Sequence, residues 1–493
     1  MKILNKFISA NEYKNYKRKL INEVINNEAP VICKSIEDLF SHLNIFDNMT
    51  ISYHHHLRNG DMCVNMIVDY INDNYSNTLN VAASSIFPAH SSLLKLIESS
   101  RLNNIYTNYI NGPVAKAVSA GGLNELLFMH THGGRSRAIE SGDIKIDIAF
   151  LAVSECDKAG NANGINGKSA CGALGYAISD SMYAKTKVLI TDNLVDTCEY
   201  VSINGKYVDY ILVVDSIGDP NGIVSGTTQV TKNPIGLKIA RDSASLVSEV
   251  NLIEDGFSFQ TGAGGTSLAV ADYLKAIMKK RQVKGSFASG GITGYFTSML
   301  EEGLFDMLWD VQCFDLSAIS SLQNNRNHLE MSASKYGNPF DECVVNDLDV
   351  VVLGATEVDL NFNVNVVTDS NNVLMGGSGG HSDTAYGAKL TIITTPLIKG
   401  RNPVIKDVVN TITTPGESVD AIVTERGIAI NPLRKDLLDK LKNTNLNIVS
   451  IENLQKIAYD MCGVPKNVKK SNKLIGHVVY RDGSIIDSIW ESE

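Results

Sequence analysis

No apolar run in the sequence approaches the ~18 residues that a membrane-spanning helix needs, so no membrane segment is expected. There is no C-x-x-C pair. The eight cysteines (Cys33, Cys63, Cys156, Cys171, Cys198, Cys313, Cys343 and Cys462) are scattered. That argues against a disulfide framework and a structural zinc site, and it suits a reducing cytoplasm. Basic residues are outnumbered, 44 against 54 acidic, and the net charge of −10 comes with no local basic stripe, which argues against a nucleic-acid binder. Charged residues make up 20% and hydrophobic ones 44%, too apolar a mixture for a disordered chain. The opening twenty residues do not read as a secretory signal, because Asn5 and Lys6 break their apolar stretch and charged helix formers follow.

What is present is an alternation of short apolar runs with amphipathic stretches over 493 residues, the signature of an α/β protein. Strands are expected at 50–53, 79–83, 126–129, 146–153, 187–191 and 210–214. After a polar connection near 231–239, a second series is expected at 257–260, 286–288, 350–353, 390–394, 421–424 and 448–451. Two comparable series predict two open, mainly parallel sheets with helices on both faces, in domains spanning 1–235 and 236–493. The segment after the 257–260 strand places Val270, Leu274, Ile277 and Met278 on one helical face, with Lys279, Lys280 and Arg281 in the last turn. Near the end, Asp482-Gly483 between apolar runs predicts a hairpin.

Three glycine-rich turns follow predicted strands, where open α/β sheets bind ligands. The first is Thr261-Gly262-Ala263-Gly264-Gly265-Thr266. It lacks the Gly-Lys-Ser/Thr ending of a Walker loop and the third glycine of the dinucleotide fingerprint. Its backbone N–H groups at a helix start could still face an anion. The second is Ala288-Ser289-Gly290-Gly291-Ile292-Thr293-Gly294. The third, Gly376-Gly377-Ser378-Gly379-Gly380-His381, is costly to order unless the backbone itself is needed, for instance as N–H donors to an oxyanion. Histidines recur with period two in His54-His55-His56 and in His130 and His132. No carboxylate stands at recognisable ligand spacing, so no metal site is assigned, and hydrogen-bonded histidines at strand ends are the plainer reading. Arg135 and Arg137 follow directly, and arginine recognises carboxylates bidentately, so this stretch could hold a polycarboxylate.

Taken in order, these pieces resemble the CoA-transferase superfamily. The two-domain transferase pattern is carried by DIAFLAVSECDKAGNAN (147–163), QTGAGGTSLAV (260–270), the Ser289-Gly290-Gly291 turn, LGATEVDLNFNVN (353–365), GGSGGHSD (376–383) and VTERG (423–427). Within it, HHHLRNGD (54–61), HTHGGRSRAIESGDI (130–144) and FASGGITGY (287–295) are similar to the citrate lyase alpha-subunit family.

The resemblance implies a subunit that exchanges acetate for citrate on an acyl thioester. The thioester sits on the phosphopantetheine-type arm, a dephospho-CoA derivative, of a gamma acyl-carrier subunit, and acetyl-CoA serves as a surrogate. A beta subunit then cleaves the citryl thioester, and an oligomeric complex in the cytoplasm is implied. No cofactor is expected to be tightly bound in this chain itself. One departure bears on mechanism. Ketoacid CoA-transferases carry a Ser-Glu-Asn-Gly motif whose glutamate forms a thioester intermediate, and here the matching place reads Ser289-Gly290-Gly291-Ile292. A direct route through a mixed anhydride is therefore expected. The oxyanion hole would be built from Gly377, Ser378, Gly379 and Gly380, and Gly262, Ala263, Gly264, Gly265 and Thr266 would line the acyl or pantetheine channel. Ser289, Gly290 and Gly291 would make room for both substrates. Arg135 and Arg137, with His132 and His381, would hold the acid, and Glu357 is the nearest replacement nucleophile. Alternatives are a transferase for citramalate or another hydroxy-polycarboxylate, a non-catalytic acyl-CoA-binding protein, and a metal hydrolase built on the histidines.

Overall fold

The computed structural model describes residues 19–224, 230–262, 264–465 and 471–492. The charged helix formers read at the start of the chain, up to residue 18, and Ala263 lie outside the described residues.

Two large sheets organise the chain. The first has ten strands. Eight come from the first half: β1 (Val31–Cys33), β2 (Met49–Tyr53), β3 (Leu79–Ala83), β4 (Leu102–Thr107), β5 (Leu127–Met129), β6 (Ile148–Val153), β7 (Thr186–Thr191) and β8 (Tyr210–Val213). The second sheet has eight: β9 (Ser258–Thr261), β10 (Gly285–Ile292), β11 (Phe305–Cys313), β12 (His328–Glu330), β13 (Val350–Gly354), β14 (Leu390–Thr394), β15 (Ala421–Thr424) and β16 (Gly427–Ile430). The terminal hairpin, β17 (Leu474–Val479) and β18 (Ile485–Trp490), belongs to the first sheet, where β17 runs parallel to β5. The spatial orders are β1-β8-β7-β6-β2-β3-β4-β5-β17-β18 and β12-β11-β10-β9-β13-β14-β15-β16. Every pairing in them is parallel except β15 with β16 and β17 with β18. Central strands such as β6, Ile-Ala-Phe-Leu-Ala-Val, are buried along their whole length, as parallel strands covered on both faces must be.

Eleven of the twelve expected strands are present with small changes at their ends. The twelfth, 448–451, is not a strand: Ile448 makes one bridge to Ile428, and Ser450 then caps the helix Ile451–Cys462. The expected polar connection at 231–239 contains a helix start. The Asn233 side chain caps Pro234–Glu249, with proline in the first turn where its missing N–H costs nothing. The 286–288 strand runs on to Ile292 and includes the residues read as a turn. The helix Gly265–Arg281 buries Val270, Leu274 and Met278 as expected, leaves Ile277 half-buried, and ends in the three basic residues.

The two sheets are joined by a buried contact. Thr131 caps the helix His132–Glu140 by accepting from the Gly134 N–H. Asp383, on the helix His381–Gly387 of the other half, accepts from the Thr131 hydroxyl at 2.8 Å and from the Gly133 N–H at 2.9 Å. Arg481 of the terminal hairpin lies 3.7 Å from the same carboxylate. A Cβ on Gly133 would stand 2.0 Å from the Gly337 carbonyl carbon, so the backbones meet only because residue 133 has none. Asp383→Ala removes these acceptors and leaves Arg481 buried opposite a void. It is expected to cost about 3–5 kcal/mol, read by denaturant unfolding of the full chain.

Candidate active site

The carboxyl ends of the two sheets face one another, and the sequence motifs converge there. The first sheet contributes His54, His55 and His56 after β2, Ser84 after β3, Asn108 after β4, and His130 and His132 after β5. The second contributes Gln260 on β9, Ser289–Gly291 on β10 and Gln312 on β11. His55 spans the two: its Nδ1 is 2.6 Å from Ser84 Oγ and its Nε2 is 3.0 Å from Gln312 Oε1. Ser289 Oγ donates to Gln260 Oε1 at 2.9 Å, and Gln260 Nε2 donates to the Tyr336 hydroxyl at 2.8 Å. Tyr176 completes the wall, with ring centroids 4.8 Å from His55 and 4.5 Å from His132.

The 376–380 glycine loop crosses from the second half and is laced into the first sheet. Gly376 O accepts from the Ile110 N–H at 3.1 Å, and Gly379 O accepts from the His132 N–H at 2.8 Å. A Cβ on Gly380 would stand 2.1 Å from the Tyr336 hydroxyl oxygen, and one on Gly379 would stand 3.4 Å from His132 Nε2. The oxyanion-hole expectation needs one correction: the Gly379 N–H is already donated to Asn108 O at 3.0 Å. The N–H groups of Gly377, Ser378 and Gly380 have no hydrogen-bond acceptor among the described residues, and the buried Ser378 Oγ also lacks a partner.

Burial sets the charge state of the histidines. Loss of solvent pushes His54 down to about 4 and His130 and His132 down to about 3, with the Arg135 charge adding to the fall in each. The same cause, reinforced by the neighbouring imidazoles, holds His55 and His56 well below the usual range. These rings are neutral hydrogen-bonding groups at pH 7. His54 Nδ1 and His56 Nδ1 lie 2.8 Å apart, and among the described residues no group of three or more His, Cys, Asp or Glu is arranged to hold a metal ion.

Other expected site residues serve the framework. The Arg135 guanidinium is buried and makes two hydrogen bonds to Asp180, both 2.8 Å, and one to Ala82 O. Arg137 pairs with Asp143 at 2.8 Å. Both are committed to carboxylates of the protein, which corrects their reading as substrate clamps. Glu357 sits buried on a small sheet formed by Val364–Asn365, Glu357–Asp359 and Ile405–Lys406. Lys406, Asn365, Ser370 and the Asn410 N–H all donate to it. A carboxylate so saturated is a poor nucleophile, which corrects that expectation too. His381 has both ring nitrogens engaged, Nδ1 with Thr414 Oγ1 at 2.6 Å and Nε2 with Gly354 O at 2.8 Å. Burial lowers its pKa to about 4.

The first glycine turn borders open space. A Cβ on Gly262 or Gly354 would meet nothing within 4 Å, and one on Gly264 would meet only Ser267 Oγ at 3.8 Å. Gly264 caps the helix that begins with Gly265 and Thr266. The sequence reading missed Gln260, Tyr336, Tyr176 and Gln312. Gln260 adjoins the first glycine turn, and the others come from outside any motif. It also passed over Arg58, within the histidine motif.

Two mainly parallel sheets meeting at their carboxyl ends around glycine turns define a CoA-transferase-type α/β protein. The family model for citrate lyase, alpha subunit (CitF), matches residues 30–492, and the chain belongs to that family. It is 45% identical over 460 residues to the citrate lyase alpha chain of Klebsiella pneumoniae, covering 93% of this chain and 91% of that one. The corresponding chain of Haemophilus influenzae is 43% identical over 462 residues, 93% of this chain and 92% of that one. A solved structure assigned as the alpha subunit of citrate lyase from Streptococcus mutans, in complex with citrate, has a TM-score of 0.93 at 43% identity. It covers 96% of this chain and 94% of that one. The malonate decarboxylase alpha subunit of Acinetobacter baumannii shares the fold, with a TM-score of 0.65 at 15% identity and coverage of 93% and 86%.

The buried imidazoles make stability depend on pH. His54, His55, His56, His90, His130, His132 and His381 all have native pKa values depressed by burial. The unfolded chain binds protons on them first, so their contribution is present above about pH 6.5 and is lost as pH falls. Asp61 and Asp383, raised by burial to about 7 and about 6, act in the opposite sense but are fewer. The thermal midpoint is expected to fall steadily from pH 7 to pH 5, with His130→Gln flattening the slope; a flat wild-type profile would refute the assignment.

Proposed function

We propose that this chain exchanges acetate for citrate on the acyl-carrier thioester of a citrate lyase complex, working with a beta subunit and a gamma acyl-carrier subunit, and that no glutamyl intermediate forms. The supporting observation is Gly290. It occupies the place where ketoacid CoA-transferases carry the glutamate, its φ is +103°, and a Cβ there would stand 2.7 Å from Gln260 Nε2. A side chain at 290 would be strained and would collide with the amide that holds Tyr336. The site therefore favours a direct reaction between its two substrates.

A citrate carboxylate adds to the acetyl thioester carbonyl, and the thiolate leaves to give a mixed acetic–citric anhydride. The thiolate then adds to the citryl carbonyl, and acetate leaves. Each addition puts charge on a carbonyl oxygen. The free N–H groups of Gly377, Ser378 and Gly380, with the Tyr336 O–H oriented by Gln260, are the donors to it. Each such donor is worth about 3–4 kcal/mol in related chemistry. Holding the two reactants together supplies about 7–11 kcal/mol more, which matters because a carboxylate is a weak nucleophile. The side left open beside Gly262, Gly264 and Gly354 suits a slender phosphopantetheine-type arm, or acetyl-CoA as its surrogate.

Purified chain should release acetate from acetyl-CoA only when citrate is present, and acetyl-CoA alone should leave no hydroxylamine-sensitive adduct on the protein. A trapped adduct at Glu357 or any other carboxylate would overturn the direct route. Gly290→Glu should lower turnover about 100-fold or more, because the Gln260–Tyr336 pair is displaced, and should not create such an adduct.

A further inference from the structure

Arg58 is used neither by the framework nor by the acyl transfer just described. It opens the short turn Arg58–Gly60, anchored by its N–H to His55 O at 2.8 Å, and its φ of +51° is one that bulky residues rarely adopt. The guanidinium carbon lies 5.3 Å from the ring centre of Phe87 and 5.1 Å from that of Phe314. Its hydrogen bond is a long one, 3.3 Å from Nη1 to Ile223 O. Arg135, Arg137 and Arg481 each face a carboxylate of the chain, whereas among the described residues none forms an ion pair with Arg58. Burial lowers its pKa, and the groups opposing that shift are the phenols of Tyr109 and Tyr176. A largely buried cation without an anion is costly, and cation–π contact with two rings offsets only part of that.

The neighbouring groups belong to the cleft. Phe87 packs on His55, and a Cβ on Gly291 would stand 2.1 Å from the Phe314 ring. Gly291 is paired with Gln312 across β10 and β11. Gln312 turns its oxygen to His55, and its buried Nε2 has no acceptor among the described residues. An unpaired guanidinium and an unpaired amide donor thus flank Ser289–Gly291. We propose that Arg58, together with Gln312 Nε2, forms the subsite that binds a second, non-reacting carboxylate of the acid substrate. This rests on the acyl-exchange reading for its context. Substrates with two or three carboxylates are held here, while acetate, with a single carboxylate, has nothing to place in the subsite once it becomes the leaving group.

The test compares wild type with Arg58→Gln and Arg58→Lys in the full chain. It measures citrate binding by calorimetry without acyl donor, and citrate-dependent acetate release from acetyl-CoA. Arg58→Gln should weaken citrate binding about 100-fold and raise its KM alike, with the KM for acetyl-CoA within about threefold of wild type. Arg58→Lys should recover part of the loss, since a point charge replaces a bidentate fork. Unchanged citrate affinity in folded Arg58→Gln would overturn the proposal. So would an equal rise in both KM values, or a wild-type chain that binds no di- or tricarboxylate. Binding lost in Arg58→Gln while wild type releases no acetate would instead support the subsite and refute the acyl exchange.

Discussion

The buried carboxylate of Asp383 reaches from the second sheet's layer into the N-terminus of a helix on the first, and the cleft depends on that reach. The Thr131 hydroxyl serves twice there, accepting from the Gly134 N–H and donating to Asp383. The free amides at a helix start favour a negative group, so the contact is electrostatic as well as geometric. It also sets distances. With Gly133 pressed onto Gly337, and with Arg481 Nη2 donating to Gly337 O at 3.1 Å, three remote stretches are fixed against one another. Tyr336 and the 376–380 loop flank this contact in sequence, and His132 follows Thr131 directly. Their mutual placement follows from a bond that takes no part in the chemistry.

Apart from Arg58, the cleft is lined by neutral polar groups, which suits the acyl transfer proposed above. The five buried imidazoles of His54, His55, His56, His130 and His132, kept neutral by loss of solvent, supply donors and acceptors without adding charge of their own. Three of their nitrogens lack a partner among the described residues, both of His130 and Nδ1 of His132. Buried polar groups without partners are rare in folded proteins and expensive. Their concentration at the carboxyl end of the first sheet marks a place built for something other than packing.

Much of the architecture was legible because parallel strands are buried on both faces and read as short, nearly continuous apolar runs. Where that rule fails, the reading failed. β4 has Asn103 and Asn104 in its centre, whose side-chain amides donate to Asn48, just before β2, and to Asn80 on the neighbouring β3. β11 carries a buried Asp310 that is satisfied by Gln312 N–H and His328. Pairings of that kind are tertiary and leave no local pattern. The terminal hairpin was readable from Asp482-Gly483, but its membership of the first sheet was not, since β17 joins a partner far earlier in the chain, Gly476 against Leu127. The same distinction governs the site. Glycine turns announce themselves by composition. An arginine's role depends on whether a carboxylate lies beside it in space, and so Arg135, next to Asp180, was overvalued and Arg58 passed over.

The residues around Ser289–Gly291 show what separates the direct route proposed above from a covalent one. A covalent route needs a nucleophilic side chain projecting from this bend. Here the bend is empty, and Gln260 fills the space, tied to Ser289 on one side and Tyr336 on the other. Exchanging one arrangement for the other is not a single substitution, because a new side chain at 290 meets Gln260, and removing Gln260 frees Tyr336 from its orienting bond. The two states are separated by coupled changes in three residues from three strands and helices. That coupling separates the fold, which the malonate decarboxylase alpha subunit shares, from the contents of the bend, which are set by residues that must change together.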